Sequence, residues 1–148
     1  QVGCLGRITQ FAETGDDRYI LTLTGISRFR LVEELSVTTA YRQARVSYDD
    51  FAVDFQARAG EEAVDRVSLL KALRSFAKAN ELKIDWKGVN EAPNEALVNA
   101  LSMMCPFGPR EKQALLEAPD LRSRAEVLVA ITEIELARGG SDPDTTLQ

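Results

Sequence analysis

Hydrophobic and polar residues divide the chain into a β-patterned first part and a helix-patterned remainder. Residues 19–32 read Tyr-Ile-Leu-Thr-Leu-Thr-Gly-Ile-Ser-Arg-Phe-Arg-Leu-Val. The density of β-branched and aromatic types predicts a long strand. Strand side chains alternate, so Tyr19, Leu21, Leu23, Phe29 and Leu31 are expected to face a core, with Thr22, Thr24, Arg28 and Arg30 sharing the other face. Gly25 marks an expected bulge or bend. Residues 2–11 form a second predicted strand, joined to the first through the turn-rich residues 13–17 as a hairpin. Residues 41–48, where Ala44, Val46 and Tyr48 alternate with Gln43, Arg45 and Ser47, predict a third strand.

The period changes after residue 62. Over residues 63–82, Val64, Val67, Leu70, Leu73, Phe76 and Ala77 sweep one face, opposite Ser68, Lys71, Ser75 and Lys78, which predicts an amphipathic helix. The acidic residues Glu61, Glu62 and Asp65 suit the positive end of its dipole. Trp86 falls in a predicted linker, residues 84–88, and its ring is expected to dock on the core. A second helix is expected from Pro93 through Leu97, Val98, Leu101 and Met104, ending before Pro106. A short third helix starts at Pro109 with Leu115 and Leu116 inward. Asp120 is placed to cap the last helix, residues 121–138. Leu121, Ala125, Val127, Leu128, Ile131, Ile134 and Leu136 surround most of that helix, so it should be the most buried. Gly139 and Gly140 close it, and residues 141–148 read as a frayed polar tail.

These elements predict the α+β class: an antiparallel β subdomain over residues 1–58, a small helical bundle over 59–140, and the tail. Asp49, Asp50 and Asp54 lie between the two parts and read as solvated turn chemistry. Three strands leave two open sheet edges, which offer a route to a homo-oligomer. The chain begins inside a strand pattern without a methionine, so further strands are expected before Gln1.

Composition narrows the function. The 148 residues are 45% hydrophobic and 28% charged, with a formal charge of -5, an ordinary globular balance. That acidic surplus argues against nucleic acid as a partner, since such binding draws on a basic surface. No run of eighteen apolar residues and no basic leader before an apolar segment occurs, so a cytoplasmic protein with no membrane partner is expected. Cys4 and Cys105 are too few for a disulfide framework and are expected to be packed, unbridged thiols.

No Gly-x4-Gly-Lys-Ser/Thr phosphate loop occurs, and no histidine is present to complete a Ser-His-Asp or Cys-His pair or a common zinc set. The chain is therefore expected not to be an enzyme and to hold no cofactor or metal. Arg7, Arg28 and Arg30, with Thr22 and Thr24 beside them, are candidates for a carboxylate- or phosphate-binding patch. The bland reading is a solvated strand face balanced by Glu33 and Glu34.

One family pattern runs through both halves. Val2-Gly3-Cys4-Leu5-Gly6-Arg7-Ile8, then Leu23-Thr24-Gly25-Ile26-Ser27-Arg28-Phe29-Arg30, resemble the N-terminal domain of Lon proteases, where a V-G-x-x-(G/A)-x-I strand precedes L-x-G-x-x-R-x-R. In the helical half, Asn99-Ala100-Leu101-Ser102 through Pro106-Phe107, then Glu111-Lys112-Gln113-Ala114-Leu115-Leu116-Glu117, Asp120-Leu121 and Arg124 are similar to the same family. The resemblance covers residues 2–138 and implies a PUA-like β subdomain followed by a helical bundle. It is nearest to the stand-alone bacterial kind, which lacks the ATPase and the Ser-Lys protease domain of the full enzyme. It further implies a substrate-binding module for unfolded or extended polypeptide, held at a sheet edge or in a groove. The residues expected to make contacts are Arg7, Arg28, Phe29, Arg30, Tyr48 and Trp86. A small-molecule sensor and an RNA-binding module are the alternatives from other classes.

Overall fold

A computed structural model describes residues 1–139; Gly140 and the tail expected over 141–148 lie outside the described residues. The chain is α+β, with a three-stranded antiparallel sheet first and helices after it. It divides into two compact units, a β unit, Gln1–Ala59, and a helical unit that begins at Gly60.

In the β unit, β1 (Val2–Glu13) and β2 (Tyr19–Leu35) form a long hairpin, and β3 (Gln43–Ser47) pairs with the far end of β2, giving the order β1-β2-β3. The hairpin turn is closed by Thr14, whose amide and hydroxyl both donate to the Arg18 carbonyl at 3.0 and 3.1 Å. Gly15 sits there at φ 78°, a left-handed conformation that costs glycine nothing. Three residues fall out of the ladder. Leu5 pairs with Ser27 but Gly6 pairs with Gly25, leaving Ile26 as the extra residue beside the expected glycine. Thr9 is extra on β1, and Val32 is extra on β2. Each bulge shifts the alternation by one, which moves the next stretch to the other face.

The Ile26 bulge puts Tyr19, Leu21 and Leu23 on the opposite face from Phe29 and Leu31, and, lying beyond the reach of β3, which pairs only with residues 30–35, they are exposed rather than in a core. The buried residues of the β unit are Val2, Ser27, Arg28 and Phe51. Phe51 comes from Asp49–Phe55, a short 3-10 helical segment that packs on β2, in a stretch whose sequence suggested a plain link.

The helical unit follows its periodicity more closely. Its helices are α1 (Arg66–Ala79), α2 (Trp86–Glu91), α3 (Asn94–Met104), α4 (Pro109–Glu117) and α5 (Leu121–Gly139). The caps explain the starts. Asp65 accepts from the Ser68 amide at 3.0 Å, Asp85 from the Lys87 and Gly88 amides, and Asp120 from the Ser123 amide at 2.7 Å, satisfying donors that a helix leaves free in its first turn. Glu61 serves α3 rather than α1, because its carboxylate accepts from the Glu95 amide at 2.9 Å. At the other end of α2, the Arg66 guanidinium donates to the Val89, Asn90 and Ala92 carbonyls, which ties that short helix to α1.

Helix α5 packs on α1, α3 and α4, and Leu69, Val98, Leu115 and Leu128 are nearly sealed from solvent. Val67, Met104 and Ile134 depart from expectation: they are 80%, 79% and 50% exposed. Among the described residues, no helix is long and apolar enough to cross a membrane.

Candidate functional site

The two cationic residues two apart on β2 have different surroundings. Arg28 is 4% exposed. Its Nε and Nη2 donate to the two oxygens of Asp54 at 2.8 and 2.7 Å, its own amide donates to Asp54 at 2.9 Å, and its guanidinium lies 4.4 Å from the Phe51 ring centre. A fork-to-fork pair of this kind, stacked on an aromatic ring, clamps the 3-10 segment to the strand. Arg30 is exposed and donates to Asp50 at 2.6 Å.

Arg7 lies elsewhere. Cys4 is the cross-strand partner of Arg28, and Arg7 is an odd number of residues beyond Cys4 on an unbulged stretch of β1. Alternation therefore puts Arg7 on the opposite face, beside Thr24. The expected basic patch of Arg7, Arg28 and Arg30 is corrected accordingly: one member is buried in an ion pair, one is paired at the surface, and one is on the other side of the sheet. Asp50 and Asp54, read from sequence as solvated turn residues, are the paired carboxylates. Glu33 and Glu34 pair instead with Arg45 and Arg42.

The aromatic candidates of the β unit converge. The Phe29 ring lies over Gly3, where an added Cβ would come within 2.5 Å of it, so only glycine leaves the ring room. Phe29 meets Tyr48 edge-on at 6.3 Å, and Tyr48 meets Phe55 at the same distance. Trp86 belongs to the helical unit, where it opens α2 half-buried with Arg74 5.5 Å from its ring centre.

Phe29 also lines an open groove of about 320 Å³ contained within the β unit. Its apolar lining is Val2, Phe29, Leu31, Ala44 and Val46, floored by Gly3. Its charged members, Glu34 and Arg42, bind each other through two hydrogen bonds of 2.6 and 2.8 Å. The Arg42 hydrogen bond, and then its charge, hold the Glu34 carboxyl below its ordinary pKa. The groove thus presents apolar surface with its charges mutually satisfied.

Cys4 is exposed, which corrects the expectation of a packed thiol, whereas Cys105 is half-buried and burial pushes its thiol pKa up. Both are free. Among the described residues, no group of three or more His, Cys, Asp or Glu side chains is placed to hold a metal ion. Sequence reasoning found Phe29 but missed Leu31, Arg42 and Val46, because groove partners are set by the register of β3 on β2. The one local signal is Gly3, a strand glycine that invites the question of what approaches it.

A family model described as the ATP-dependent protease La (LON) substrate-binding domain matches residues 1–133. Comparison with curated proteins finds no match.

Proposed function

Since the chain belongs to the family of ATP-dependent protease La (LON) substrate-binding domains, we propose that it is a non-catalytic module that binds unfolded or extended polypeptide in the groove of its β unit. The observation that carries this reading is the Phe29 ring held over Gly3 on the floor of an apolar groove. An apolar client side chain gains from burial there, at about 25 cal/mol per Å² removed from water. The β3 edge beside the groove offers main-chain groups to an extended segment. A phosphate or a charged metabolite gains less, because Glu34 and Arg42 already neutralise each other. The RNA alternative has fewer phosphate contacts to draw on, since Arg28 is committed to Asp54 in a buried pair, Arg30 faces Asp50, and Arg7 lies on the other face of the sheet. The module works in the cytoplasm, where its unbridged cysteines stay reduced.

Fluorescence anisotropy with a labelled, reduced and destabilised client protein tests this. Binding should be micromolar, because ordering a flexible client offsets much of the contact energy. It should need no nucleotide, persist at high salt, and weaken about tenfold or more in Phe29→Ala, as loss of a central aromatic anchor does. Cleavage of the client, or tight binding of RNA that collapses with salt while no client binds, would refute the proposal.

A further inference from the structure

Helix α1 divides its circumference sharply. Leu69, Ala72, Leu73, Phe76 and Ala77 are buried on one side, and Lys71, Arg74 and Lys78, spaced by three and four, form one row on the opposite side. All three are exposed. Between Arg66 and Ala79 the helix has no acidic residue to offset them. Among the described residues, no carboxylate lies within ion-pair distance of Lys71, Arg74 or Lys78, nor of Lys83 and Lys87 just beyond the helix. Other exposed cations are arranged differently. Along α5, Arg122 pairs with Glu126 and Arg138 with Glu135, and in the β unit Arg18, Arg30, Arg42 and Arg45 each have a carboxylate partner. Arg74 instead lies over the half-buried Trp86 ring, 5.5 Å from its centre.

We propose that this row is a docking surface for an acidic, extended polypeptide segment, whose carboxylates are held by Lys71, Arg74 and Lys78 while its chain rests against Trp86. Like charges three and four apart on a helix repel, so the row costs the free helix stability and an anionic ligand relieves that cost. The stack on the indole holds the Arg74 fork in place, ready for a carboxylate. Lys71 and Lys78 stand about 10 Å apart along the axis. An extended peptide returns a side chain to the same side every ~7 Å, so alternate acidic residues match the row.

A nucleic acid fits less well. It gains affinity by neutralising many phosphates against a broadly basic surface, and this chain carries a net charge of -5. A base stacking on the indole would compete with Arg74, which already covers one of its faces. The surface lies wholly within the helical unit and shares no residue with the groove of the β unit, so it stands or falls independently of the groove reading.

Fluorescence anisotropy of a labelled, tryptophan-free peptide alternating Glu and Ser, about ten residues long so that it overspans the row, tests the assignment on the full chain. Binding is expected to weaken severalfold as salt rises from about 50 to 200 mM, and to be lost when Gln replaces Glu in the peptide. Emission from Trp86, the single tryptophan, should change on saturation. Lys71→Gln combined with Lys78→Gln should weaken binding about fivefold or more, since each exposed charge contact contributes little by itself. Arg18→Gln combined with Arg45→Gln removes the same charge from the β unit and should leave affinity unchanged, as should Phe29→Ala in the groove. Absence of binding, equal affinity for the Gln peptide, an unaltered Trp86 emission at saturation, equal losses in the two double variants, or tighter binding of a single-stranded DNA of matched charge would each overturn the proposal.

Discussion

Replacing Asp54 with alanine isolates the cost of a stranded buried charge. Arg28 would keep its place against Phe51, with its side chain 5% exposed, but would lose the carboxylate that accepts two of its guanidinium hydrogen bonds and the bond from its amide. Breaking a buried pair from one side costs about 3 to 5 kcal/mol, because the remaining charge loses its carboxylate in a poorly hydrated site. Asp54 itself is 17% exposed, so water reaches the vacated position, and the lower end, about 3 kcal/mol, is expected. The control lies two residues away. Arg30 and Asp50 meet at a similar distance, 2.6 Å, but their side chains are 52% and 54% exposed, and exposed pairs contribute about 1 kcal/mol at most. Asp50→Ala should therefore be close to neutral.

Urea unfolding followed by tyrosine near-UV dichroism measures the difference, because Tyr19, Tyr41 and Tyr48 all lie in the β unit while the single tryptophan, Trp86, lies in the helical unit. A unit of this size with a few kcal/mol of stability would lose most of it in Asp54→Ala. The double variant Arg28→Leu with Asp54→Leu should be less damaged than Asp54→Ala alone, since no charge is left behind. Equal costs for Asp50→Ala and Asp54→Ala, or a cost below about 1 kcal/mol for Asp54→Ala, would refute the reasoning from burial.

The helical unit gives a second expectation: Leu128→Ala and Ile131→Ala should each lower stability by about 2 to 5 kcal/mol, read from the Trp86 fluorescence transition, because both side chains are buried and each leaves a cavity. With a thiol reagent under native conditions, Cys4 should react within the mixing phase of a slow assay and Cys105 much later, because Cys4 is exposed and burial disfavours the Cys105 thiolate. Equal rates would contradict the difference in exposure. The Asp65 carboxyl is held below its ordinary pKa of 3.8 by its bond from the Ser68 hydroxyl, then by the Ser68 amide. A depressed carboxyl stabilises the fold above the unfolded pKa and loses that contribution as pH falls through the folded value. Asp65→Asn should therefore flatten the acid limb of the Trp86-monitored stability curve below about pH 4, and an unchanged limb would remove Asp65 from the cap.

Helices were legible in the sequence where local chemistry sets them. Asp65, Asp120, Pro93 and Pro109 announce starts, and the three-to-four spacing of Leu97, Val98 and Leu101 fixes an inward face without knowledge of any neighbour. Helix α2 was not, because six residues are too few to show a period, although Asp85 before Trp86 carried the cap signal. The strands were legible as strands and illegible as faces. Bulges at Thr9, Ile26 and Val32 each reverse the parity that a period-two reading depends on. The Arg28 and Asp54 pair spans 26 residues, and nothing in the local pattern distinguishes Asp54 from Asp50; burial by Phe51 makes the difference. The candidate site shares this dependence on register, which is why Phe29 was visible and its groove partners were not.

Gly3 ties the sheet to the groove more closely than any other position. With β1 paired so that Gly3 stands opposite Phe29, any side chain at residue 3 must displace the ring, which a Cβ would approach to 2.5 Å, closer than van der Waals contact allows. The ring's alternatives are to swing into the groove or to leave its edge contact with Tyr48. Gly3→Ala should therefore perturb two observables together, the near-UV dichroism of the tyrosines and client affinity, while the helical unit's Trp86 transition stays where it was. Phe29→Ala in the same background should restore the backbone fit, since the smaller side chain no longer collides, yet leave client binding weak for want of the ring. A Gly3→Ala protein that binds client as well as the unsubstituted chain, with its tyrosine spectrum unaltered, would mean that the ring over Gly3 does not form the groove floor.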